Sequence, residues 1–113
     1  MKPDKDVIEF IQAVVDSLVM WELVVFLWNN PGITDKAKGI ASRLGRRSED
    51  ILGPLEALVE HGILEKWGEA AQPIYAFRQD SKFAEALEKF AAFSQDKEGK
   101  LWIWAQLLHR GIR

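Results

Sequence analysis

The stretch TDKAKGIASRLGRRSEDILGPLEALVEHGILEKWG, residues 34–68, reads as two short helices running into the first strand of a hairpin. Ala37, Ile40, Ala41 and Leu44 recur at spacings of three, one and three, which is the inward stripe of a helix. Thr34 is a suitable N-cap for it, Asp35 suits the positive end of its dipole, and Gly45 supplies a left-handed C-terminal cap. Arg46 and Arg47 make the turn. Ser48, Glu49 and Asp50 then open a second helix whose buried stripe is Ile51, Leu55, Leu58 and Val59, closed by His61 and Gly62. Pro54 falls inside that helix, where it deletes the bond to the Asp50 carbonyl at about 3 kcal/mol unless the chain bends. Two arrangements relieve it: a kink near Asp50, or a separate turn over residues 48–52 with the helix proper starting at Pro54.

Working outward, residues 63–67 and 74–77 are short runs of β-formers on either side of a turn-rich segment, the pattern of a small antiparallel hairpin. Upstream, Val7, Ile11, Val14, Val15, Leu18 and Val19 follow the helical period until Asn29, Asn30, Pro31 and Gly32 end it. Residues 4–28 are too many for an ordinary helix, so a break or bend is expected near Asp16 or Ser17. Downstream, Phe83, Leu87 and Phe90 form one helical stripe and Leu101, Trp104 and Leu108 another, with Gly99 as the expected break between them. The fold class is therefore mainly α with a small β-hairpin, α+β. No repeat or linker divides the chain, which reads as a single domain over 1–113, with a core at about 17–78 and flanking helices at about 4–16 and 81–110.

Two helices joined by a tight turn and followed by a hairpin make the order of a winged helix-turn-helix. Residues 17–77 resemble the winged-helix transcription regulators of the MarR and ArsR kind. The matching words are WELVVFLWNNPGIT at 21–34, KGIASRLG at 38–45 and ILGPLEALVEHGILEKWG at 51–68. The resemblance implies a transcriptional regulator that binds double-stranded DNA as a homodimer, with the second helix of the pair entering the groove. It places Thr34, Lys36, Arg43, Arg46 and Arg47 near the phosphate backbone and Ser48, Leu52 and Glu56 near base edges.

Charge sharpens that expectation. The chain carries 15 Lys+Arg against 17 Asp+Glu, a net charge of -2, which excludes a uniformly basic nucleic-acid coat. Residues 36–47 nevertheless hold Lys36, Lys38, Arg43, Arg46 and Arg47 and no acid, whereas residues 48–69 hold Glu49, Asp50, Glu56, Glu60, Glu65 and Glu69 against Lys66. The first block suits phosphate, and the second repels it. None of the outward positions of the second helix is Arg, Lys, Asn or Gln, the side chains that read guanine or adenine in a bidentate way; Leu52 can touch a thymine methyl and Glu56 can accept from a cytosine amine. Lys66 is the hairpin's one cation for a wing contact. The alternative is a winged helix used for protein–protein interaction, its acidic helix facing a basic partner.

The flanking segments carry more apolar bulk than a small core covers, so Val7, Ile11, Val14, Phe83, Leu87, Phe90, Leu101, Trp104 and Leu108 are the candidate dimer contacts. The competing arrangement folds these helices back onto their own domain. Phe93, Trp102 and Trp104 are candidates to line a pocket for a small apolar effector. Glu9, Asp16 and Glu22 interrupt the apolar N-terminal stretch too often for a membrane span, and residues 1–6 do not read as a signal peptide. With 0 Cys there is neither a disulfide framework nor a thiolate site, and a cytoplasmic location is expected. His61 and His109 stand alone, and no nucleophile elbow, Walker loop or dinucleotide motif occurs. No enzyme activity, metal or cofactor is expected.

Overall fold

The computed structural model of the chain describes residues 3–78 and 80–110; the ends of the expected 1–113 domain lie outside them. It is mainly helical with a small three-stranded antiparallel sheet. α1 (Lys5–Ala13) begins at Asp4, whose carboxylate accepts from the Asp6 N–H at 2.9 Å. The chain then turns through Val14 and Val15, both buried, and α2 (Leu18–Asn29) leaves at 120° to α1. Ser17 makes the break: its hydroxyl accepts from the Met20 N–H at 3.0 Å and starts α2 afresh. α2 buries Met20, Trp21, Leu23, Val24 and Leu27 on one broad face, while Leu18, Val19, Val25, Phe26 and Trp28 pack partly buried against the core. No single helix among the described residues is long and apolar enough to cross a membrane.

Residues 34–36 correct the first expectation. Thr34 caps no helix; it opens β1 (Thr34–Lys36), which pairs antiparallel with β3 (Ile74–Phe77) in the register Thr34↔Ala76, Asp35↔Tyr75, Lys36↔Ile74. The reason is tertiary, because the free edge of β3 offers unpaired backbone groups and the buried Ile33 anchors the segment beside it. α3 (Ala37–Leu44) starts two residues later, with Lys36 at its cap and no side-chain bond there. The Asp35 carboxylate does lie over the first turn of α3, so close to Gly39 that a Cβ there would overlap it.

Gly45 ends α3 in the left-handed conformation, φ 68°, and the Arg46 N–H reaches back to the Ala41 carbonyl at 2.9 Å. α4 (Ser48–Glu60) is unbroken and holds Pro54 inside it, so the separate turn over residues 48–52 does not form. Gly53 has no Cβ to meet the proline ring, which removes part of the clash that bars helix before proline. β2 (Leu64–Trp67) and β3 form the expected hairpin, and the strand order is β1-β3-β2.

α5 (Ala84–Gln95) and α6 (Lys97–His109) meet at Asp96, not at Gly99. Asp96 caps α6 by accepting from the Gly99 N–H at 3.2 Å. Gly99 is buried where the helices meet, and a Cβ on it would overlap the Phe93 carbonyl.

The flanking helices also require a correction. Val7, Ile11, Val14, Leu87 and Phe90 are all buried in the chain's own core, and Phe83 packs partly buried against it. Phe10 on α1 sits between the rings of Phe83, the residue that caps α5, and Phe90 on α5, with centroids 5.8 Å and 5.2 Å away. The five buried residues are spent within one chain and offer no surface to a second; Phe83 keeps part of its ring exposed. Leu101, Trp104 and Leu108 on α6 remain exposed, at 61%, 42% and 63%.

Candidate nucleic-acid interface

The start of α3, the first half of α4 and the hairpin loop enclose a cleft of about 260 Å³. Lys36, Lys38, Ser48 and Leu52 line it, together with the loop residues Gln72 and Pro73. The Lys36 ammonium donates to the Gln72 side-chain oxygen at 3.3 Å, tying the loop to the foot of α3. Lys38 is exposed and has no ion-pair partner among the described residues, and Leu52 is 44% exposed on the outer face of α4. An unpaired ammonium, a hydroxyl and an apolar side chain on one cleft can meet a phosphate and a base edge together.

The remaining cations separate. Thr34 and Arg43 line a different hollow, beside Asn30. Arg46 turns inward and forms a two-pronged pair with Glu22 on α2, at 2.7 Å and 3.0 Å, which raises the pKa of its guanidinium. That pair links α2 to the turn between α3 and α4, so Arg46 is a structural tie rather than a phosphate contact. Arg47 is exposed but lies 3.2 Å from Glu49 and 3.6 Å from Asp50, so any phosphate competes with two carboxylates.

Glu56 is likewise engaged. It accepts from the Lys66 ammonium and the Tyr75 hydroxyl, each at 2.5 Å, which pins both hairpin strands to α4. Its carboxyl is held below the usual glutamate range, first by Lys66 and then by Tyr75. Lys66 and Glu56 thus neutralise one another, and neither is a free contact for DNA. Tyr75 and Gln72 were not legible as site residues; Tyr75 reads as one more strand aromatic, and its role depends on α4 lying beside it.

Burial raises the Tyr75 hydroxyl to about 12, with the bond to Glu56 adding to the effect. Between pH 10 and pH 12 the unfolded chain ionises this group while the folded chain keeps its proton, so stability is lost as pH rises through that window. Tyr75 is the chain's single tyrosine. The phenolate absorbance of the folded protein is therefore expected to titrate near 12 and to move down in Glu56→Gln by the smaller share that Glu56 contributes, burial keeping it above 10; a midpoint near 10 in the parent protein would show that Tyr75 is neither buried nor bonded to Glu56.

The expected aromatic pocket does not assemble. Phe93 and Trp102 pack edge to face at 5.9 Å, filling the space with each other. Trp104 packs instead on Trp21 at 6.1 Å and borders a separate hollow of about 570 Å³ with Leu18, Val25, Phe26 and Arg43. Comparison with family models, with curated proteins and with solved structures yields no match to this chain.

Proposed function

We propose that this chain is a winged helix-turn-helix protein that binds duplex DNA as a homodimer in the regulation of transcription in the cytoplasm. The order α2-β1-α3-α4-β2-β3 with sheet order β1-β3-β2 supports the fold reading. The observation that carries the functional reading is the convergence of Lys36, Lys38, Ser48 and Leu52 on one cleft beside the hairpin loop. α4 would enter the groove with Leu52 toward the bases, Lys38 and Arg47 would hold the phosphates, and readout of sequence would be sparse. The exposed stripe Leu101, Trp104 and Leu108 on α6 is the surface left for a second copy.

Fluorescence anisotropy of a labelled duplex, titrated at several salt concentrations, tests the reading. The logarithm of affinity is expected to fall linearly with the logarithm of salt, and Lys38→Ala to reduce the slope by about 1. A folded chain that binds no duplex at low salt would overturn it. That outcome favours the second reading, an interaction module for a basic protein. Its specific support is the outer face of α4 and β2, where Glu49, Glu60 and Glu65 are exposed and Trp67 is 46% exposed.

A further inference from the structure

The end of α2, the turn after it, the end of β3 and the start of α5 border a second cleft of about 470 Å³. Its walls are Trp28, Pro31, Phe77 and Ala84, and its rim carries Glu85 and Glu88. The rings of Trp28 and Phe77 lie 6.5 Å apart and inclined at 55°, two half-buried aromatic faces meeting at an angle. Among the described residues, no Lys or Arg lines the cleft.

The chemistry of this lining is selective. An anion would find two carboxylates and no cation to pair with. A neutral apolar ligand would meet the aromatic walls but leave the two exposed rim carboxylates without a counter-charge. A cation clothed in methyl or methylene groups satisfies both parts, since aromatic faces attract positive charge and carboxylates pair with it. The two acids are not equivalent. Glu85 lies in the first turn of α5, where it answers the helix dipole, and 3.5 Å from Lys89. Glu88 is exposed and has no ion-pair partner among the described residues. The α2 end supplies a further negative element, because Trp28 lies in a last turn that contains no basic residue.

We infer that this cleft is a binding site for a small organic cation of the alkylated ammonium class, held between Trp28 and Phe77 and paired to Glu88. The site is independent of duplex binding, and its cavity falls in the size range of small-molecule sites.

The test uses choline as the cation and its uncharged carbon analogue 3,3-dimethylbutan-1-ol as the control, each titrated into the labelled full chain while the Trp28 indole N–H and the Glu88 amide are followed by NMR. Ionic strength is held constant with sodium chloride. Choline is expected to shift both signals saturably, and the neutral analogue to bind about tenfold more weakly. Glu88→Gln, on an exposed position, is expected to weaken choline at least about threefold, and Trp28→Leu to remove binding. Equal shifts with the two probes would overturn the proposal, as would unchanged choline affinity in Glu88→Gln. Should Trp28→Leu fail to fold, the probe comparison and Glu88→Gln still decide.

Discussion

Phe10→Ala is expected to destabilise the chain by about 3–5 kcal/mol, the range for removing a buried ring from a core that cannot close over the gap. Phe10 is 1% exposed and touches the rings of Phe83 and Phe90 at and within α5, and its neighbours Val7 and Ile11 are buried beside it. Loss of the ring leaves Phe83 and Phe90 without their common partner and loosens α1 from the domain. Chemical denaturation followed by tryptophan fluorescence measures the effect. Because α1 packs on α5 of the same chain, the loss should not depend on protein concentration. A loss that shrinks as the protein is concentrated would place α1 in a contact between copies instead.

Gly99→Ala is expected to cost about 3 kcal/mol, at the upper end of the usual range for overpacking. The atom in the way is the Phe93 carbonyl oxygen, part of the α5 backbone, so no side-chain rotation makes room. The corner between α5 and α6 must open, and Ile103 and Leu107, both buried on α6, move with it. Thermal unfolding of Gly99→Ala beside Gly32→Ala checks this, since a Cβ at Gly32 meets nothing within 4 Å. Equal melting of the two variants would show that the corner is looser than drawn.

The candidate interface was legible where it depends on short-range pattern. Ser48 and Leu52 fall on the outer face of α4 by periodicity alone, and Lys36 and Lys38 flank Ala37 at the start of the α3 stripe. What pattern could not show is how each charge is used. The cationic block of residues 36–47 looks uniform, yet Arg46 is tied to Glu22, 24 positions earlier, while Lys38 has no ion-pair partner among the described residues. Glu22 reads in sequence merely as a charge interrupting an apolar helix. Its partner emerges only when α2 and the α3–α4 turn are brought together. The same holds for Lys89, which joins Asp6 across 83 positions and fastens the start of α1 to α5.

The helix break at Ser17, the Gly45 cap, the helical stripes and the hairpin follow from the sequence itself, because they arise between residues within a few positions of one another, such as Ser17 with Met20 and Gly45 with Ala41. Three matters were decided only in the folded chain. Thr34 became a strand residue because β3 presented an unpaired edge, overriding its quality as a helix cap. The apolar faces of α1 and α5 turned to each other within one chain, leaving α6 alone with an exposed stripe. Pro54 stayed inside α4, anchored by Leu55 and Leu58 in the core, even though its ring deletes a backbone bond. In each case local preference amounts to about 1–3 kcal/mol, and burial or pairing with a distant segment outweighs it.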